Sequence, residues 1–159
     1  MAIVILGKTL CPLCGEPILG SQEHVAFSPF IANKRDPLSR FSDAAFHRTC
    51  FDLDADSAKA LARSRELRLR SGPGSRRCAA CGAEVTEPDD CFGTGLLSGD
   101  PGNPVAKFNY IHLHRSHFAQ WASAGEFRAA LESFLASDEW EGPKIEFDPM
   151  PKWTRPRER

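Results

Sequence analysis

The sequence predicts a small α+β protein, one short metal-stabilised module built twice in tandem, and three observations carry that prediction. Cys11, Cys14, His47 and Cys50 recur as Cys78, Cys81, His114 and His117 at a constant offset of 67 residues, with no gap. Each copy reads Cys-x2-Cys, then 32 residues, then His-x2-Cys or His-x2-His. The surrounding residues follow the same register: Gly15 falls on Gly82, Pro37 on Pro104, Phe41 on Phe108, Arg48 on Arg115 and Phe51 on Phe118, with Ile18 on Val85 and Arg40 on Lys107. Self-similarity at a fixed spacing is the mark of a duplicated structural unit.

The elements follow in order. Ala2 to Leu6 is apolar and β-branched, which predicts a short buried strand. Cys11-Pro-Leu-Cys14-Gly15 is a tight turn, where Gly15 lets backbone amides point at sulfur. Ile18 and Leu19, then Val25 to Phe27, predict two short strands around Gly20-Ser21. Residues 28 to 40, broken by Pro29 and Pro37, read as an irregular loop. His47 and Cys50 open a helix with an acidic start, Asp52 to Asp56, and with Ala58, Leu61, Ala62 and Leu69 on one face. Ser71-Gly-Pro-Gly-Ser75 ends it. In the second copy Glu84 to Gly102 reads as a longer, looser loop, and Phe108 to Leu113 as a strand leading into His114. Gly125 interrupts the second helix, and Ser123-Ala-Gly-Glu126 has the spacing to restart it. Phe127, Ala130, Leu131, Phe134 and Leu135 then form a core-facing stripe. Ile145 to Phe147 reads as a closing strand. The predicted organisation is a first module over 1–70, a linker over 71–77, a second module over 78–148 and a disordered basic tail over 149–159.

Composition narrows the chemistry. Hydrophobic content of 42% and charge of 26% suit a soluble globular chain of 159 residues. Modules of about 65 residues have thin cores, which need a disulfide or a metal. Neither a signal peptide nor a membrane span is legible, so the expected compartment is the reducing cytoplasm, where Cys-x2-Cys pairs are metal sites. A redox dithiol at Cys11 and Cys14 would explain neither His47 and Cys50 nor the second copy. Zinc takes thiolates from a tight turn and two further ligands from the first turn of a helix. The expected cofactors are therefore two structural zinc ions, one on Cys11, Cys14, His47 and Cys50, the other on Cys78, Cys81, His114 and His117. Four protein ligands close a site, whereas catalytic zinc keeps a position open. Arg48 and Arg115, between the helical ligands, are placed either to offset thiolate charge or to face solvent. Cross-bracing of the ligand pairs is formally open, but a duplicated unit should hold its own metal. His112 lies two residues before His114 and competes with it as a ligand, and Cys91 is left over at the position of His24.

Knuckle, hairpin and ligand-bearing helix in that order resemble the treble-clef class of zinc fingers in both halves. That class implies a scaffold and no particular activity. Three functions follow. The first is a non-catalytic scaffold or adaptor that binds a protein partner, which closed sites and a net charge of −1 suit. The second comes from a resemblance of the first copy to the HNH-type nuclease scaffold. There His24 would be the catalytic general base, with Pro29 following and Asn33 as the middle Asn, but Phe51-Asp52-Leu53-Asp54 lacks the expected His or Asn. The third is nucleic-acid binding through Arg63, Arg65, Arg68, Arg70, Arg76 and Arg77 and through the basic tail, against which a pI of about 6.5 weighs.

Overall fold

The computed structural model describes residues 2–142, and the duplication is visible in it bond by bond. The fold is a small mixture of helix and sheet with two separate two-stranded antiparallel hairpins. In the first half, β1 (His24–Ala26) pairs with β2 (Ala45–His47), with His24 opposite His47. Two helices follow, α1 (Arg48–Leu53) and α2 (Ser57–Ser71). In the second half, β3 (Cys91–Gly93) pairs with β4 (His112–His114), with Cys91 opposite His114. A 3-10 helix over Arg115–Gln120 stands where α1 stands in the first half, and α3 (Ala124–Ala136) follows it.

The turns repeat as faithfully as the elements. The Cys11 amide donates to Glu16 O at 2.9 Å and the Gly15 amide to Cys11 O at 2.8 Å; the Cys78 amide donates to Ala83 O at 2.8 Å and the Gly82 amide to Cys78 O at 2.7 Å. Gly15 (φ 78°) and Gly82 (φ 77°) occupy the left-handed region these turns require. At matching positions one polar side chain in each half braces the long loop. Ser42 Oγ accepts the amides of Phe30 and Ile31 at 2.9 and 3.0 Å. Asn109 Oδ1 does the same for Leu97 and Ser98 at 2.7 and 3.2 Å. The residue after each, Asp43 and Tyr110, is left-handed in both halves, at φ 55° and 59°.

Each half has its own aromatic core. Phe27, Phe30, Phe41, Phe46 and Phe51 are buried together in the first, and Phe92, Phe108, Phe118, Trp121 and Phe127 in the second. The two halves also contact each other. Leu96 is buried in the first core and Tyr110 packs against it. In return, Asn33 of the first half fastens the chain after α3. Its Nδ2 donates to Glu139 O at 2.8 Å, and its Oδ1 accepts the Glu141 amide at 3.0 Å.

Several expectations are corrected. Ala2 to Leu6 forms no strand, and Ile3, Ile5 and Leu6 are exposed. Ala2 N donates to Phe27 O, whereas Ile5 is taken up by the following turn, its carbonyl accepting the amides of Lys8 and Thr9 and its amide donating to Thr9 Oγ1, so no ladder forms. Val25 pairs with Phe46 across the loop and not with the Ile18–Leu19 run. The single helix expected after His47 breaks at Asp54, whose Oδ1 accepts the Asp56 amide at 2.9 Å and so competes with helical bonding. The break resets the phase, so α2 buries Ala60 and Ser64 and exposes Leu69. Phe108 closes a 3-10 turn, and of the expected strand only His112 and Leu113 lie in β4, because Tyr110 is left-handed. The Glu84 to Gly102 stretch, expected as a loop, contains β3 at the position that β1 holds in its counterpart. The helix does restart after Ser123, without a side-chain cap bond, and its stripe buries Phe127, Leu131 and Phe134 while Leu135 lies at the surface. The Ile145–Phe147 strand and the tail fall outside the described residues. No described helix is long and apolar enough to cross a membrane.

Because Asn33 is 7% exposed and satisfies backbone groups of both halves, Asn33→Ala should cost about 1–3 kcal/mol in urea unfolding of the metal-loaded protein. The exposed Asp138→Ala should stay within about 0.5 kcal/mol. Equal effects would show that the contact between halves contributes nothing.

Candidate metal centres

The first centre is assembled from three pieces. The knuckle brings Cys11, fully buried, and Cys14, exposed. β2 ends in His47, and α1 carries Cys50 one turn on. One ligand atom from each lies within 4.8 Å of the other three. His47 Nδ1 is 3.4 Å from Cys14 Sγ and 3.8 Å from Cys50 Sγ. Zinc bonds of about 2.3 Å to sulfur and about 2.0 Å to nitrogen give tetrahedral edges of about 3.5 Å, so the donors fit zinc in kind and in spacing. His47 Nε2 lies 3.3 Å from Pro17 O, which takes its N–H and leaves the Nδ1 lone pair for a metal.

Charge in the centre is finely set. Burial pushes the Cys11 thiol up, but the amides of His47, Leu13 and Cys14 outweigh it and bring it from 9.0 to about 7. At Cys50 burial also pushes the thiol up, and there the sulfurs of Cys14 and Cys11 add to it, so it rises from 9.0 to about 11. Three thiolates this close repel one another, and a divalent cation between them removes the repulsion.

The second centre differs. Cys78, Cys81 and His117 gather within 4.8 Å. His117 Nδ1 is 3.8 Å from Cys78 Sγ, and the His114 amide donates to that sulfur at 3.4 Å. Burial raises the Cys78 thiol, but the amides of His114, Ala80 and Cys81, aided by His117, bring it to about 6. The ligand-type residues thus gather in chain order, without cross-bracing. The His114 ring stands apart from its group. Its Nδ1 is 2.6 Å from Asp90 Oδ2, and neither ring nitrogen lies within 4.8 Å of all three other donors. Asp90 is itself fixed by the Arg115 amide, 3.1 Å from Oδ1. The bond to His114 holds the Asp90 carboxyl below its ordinary range, against a smaller effect of burial. Sequence register gave no signal for Asp90, because Glu23 at the matching position uses its backbone carbonyl to meet the Arg48 amide, at 2.9 Å.

The other residues singled out by the sequence lie elsewhere. His24 is exposed, with Nδ1 3.4 Å from Gln22 O. Asn33 is committed to the far end of the chain. Cys91 packs against the second core. His112 is buried beside Gly93 and belongs to neither group; burial, and then Arg76, push its imidazole down. Arg48 pairs with Asp52 at 2.8 Å, and Arg115 Nε donates to Asp89 O at 2.9 Å. Of the arginine cluster, Arg63 pairs with Glu66, Arg76 donates to Ser71 O and Arg77 to Gly82 O, whereas Arg65, Arg68 and Arg70 are exposed on α2. Comparison with protein-family models, with curated proteins and with solved structures finds no match.

Metal and protons compete for the same thiols. Cys11 and Cys78, deprotonated above about 7 and about 6, regain protons as pH falls through those values. Apparent zinc affinity at both centres should therefore drop at least about tenfold per pH unit between pH 6 and 5. Chelator competition read across that range measures it, and a flat profile would exclude thiolate ligation.

Proposed function

We propose that the chain is a non-catalytic scaffold of two treble-clef-like modules, each held by one structural zinc ion, and that it binds a protein partner in the cleft between the modules. The matched order of knuckle, hairpin and helix supports the treble-clef reading. All six cysteines of the chain stand as free thiols, which suits zinc ligation and a cytoplasmic setting.

The observation that carries the partner is a cavity of about 840 Å³ where the halves meet. Leu38 and Phe134 contribute an apolar lining. Of its basic residues, Lys59 is paired with Asp56, Arg63 with Glu66 and Arg35 with Glu141. Asp36, Asp100 and Glu139 line the same cleft and form no ion pair among the described residues, so the unbalanced charge is negative. An extended peptide bearing lysine or arginine beside an apolar residue matches that lining. The nuclease alternative draws no support from His24, which stands exposed on β1 while Asn33 is occupied elsewhere. Nucleic acid finds acidic groups in the cleft and three of six arginines already engaged.

A fluorescent peptide with leucine flanked by arginines should bind the zinc-loaded protein, and an acidic peptide of equal length should not. Asp36→Asn with Asp100→Asn should weaken binding about tenfold with zinc content unchanged. Equal binding of both peptides would remove the cleft as the docking site. Divalent-metal-dependent cleavage of plasmid DNA, lost in a well-folded His24→Ala protein, would favour the nuclease reading.

A further inference from the structure

The two centres use the same histidine position in opposite ways. In the first, His47 Nδ1 faces the thiols, and Nε2 is given to Pro17 O. In the second, the corresponding Nδ1 of His114 is taken by a carboxylate, Asp90 Oδ2, at 2.6 Å. Asp90 is positioned by a 3-10 turn, Pro88–Asp90, and by the Arg115 amide. Only Nε2 of His114 is left, and no ring nitrogen of His114 lies within 4.8 Å of all of Cys78, Cys81 and His117. The ring nevertheless stands beside the group, its centroid 5.1 Å from that of His117 at an interplanar angle of 67°. Cys81 is exposed, so the group is open to solvent.

We propose that the second centre holds its ion through three protein ligands, Cys78, Cys81 and His117, and keeps its fourth position for an exogenous protic donor, water or a small thiol, that hydrogen-bonds to His114. This rests on the reading that both groups bind metal. Two thiolates and one neutral imidazole leave a divalent ion uncharged overall and one donor short of a tetrahedron. With its Nδ1–H given to Asp90, His114 presents Nε2 as an acceptor for the proton of the incoming donor. The first centre, with four ligands grouped, has no such vacancy in its donor set. The second centre is then a site of ligand exchange, and Asp90 and His114 are positioning residues for what binds there.

Cobalt(II) is the probe, because its absorption reports sulfur and nitrogen donors at both centres. The wild-type protein is expected to take two cobalt ions; uptake of none would overturn the metal reading and this inference together. His117→Ala should lose one ion. His114→Ala should keep both, with affinity at the second centre within about threefold, whereas a fourth protein ligand would be missed by far more. Should His114→Ala fail to fold, Asp90→Asn decides. If Asp90 orients a ligating histidine, its loss lowers metal affinity by about 10–100-fold. On the present proposal metal affinity is unchanged. Adding 2-mercaptoethanol should increase sulfur charge-transfer absorption in the wild type, less so in Asp90→Asn. A spectrum unmoved by the thiol, or loss of cobalt from either His114→Ala or Asp90→Asn, would overturn the proposal.

Discussion

Everything in this fold is arranged around two buried sulfur atoms onto which backbone amides converge. Cys11 receives the amides of Leu13 and Cys14 from its own turn and that of His47 from β2. Cys78 receives those of Ala80 and Cys81, and that of His114 from β4. The contact ties the knuckle to the second strand of the hairpin, and so brings residues more than thirty positions apart into one site. It also stabilises the thiolate, which makes the sulfur a better metal ligand. The hairpins are only three residues per strand, too short to stand alone. The aromatic cores pack behind them, and the sulfur centres close the front.

The halves agree down to single turns, as a duplicated unit should, and they also pack on each other. Leu96 fills the first core, and Asn33 satisfies the backbone after α3. The exchange is reciprocal, and the cleft it leaves is lined from both sides. Tyr110, reaching toward α2, has its hydroxyl pushed up by burial and by Glu66, with Arg63 opposing.

Spacing made the two Cys/His groups legible, all but His114, because residues two apart in a tight turn or on the first turn of a helix can meet at one point. The core stripe of α3 was legible for the same reason. Pairing was not. Nothing local tells Val25 to choose Phe46 over Ile18, since the choice depends on where the intervening loop folds back. Nor did register disclose the helix break at Asp54, where a side-chain oxygen competes with a backbone one. His114 shows the limit most plainly. It occupies a ligand position in the repeat, yet Asp90, a residue with no counterpart role in the first half, takes its ring.

On the reading proposed above, each half is held by its own metal ion. Native mass spectrometry of the protein, with a circular-dichroism record taken before and after strong chelation, tests it most directly. Two zinc ions per chain, and loss of folded signal once both are stripped, is the predicted result. A chain that carries no zinc, or that keeps its full fold after both ions are removed, would contradict it.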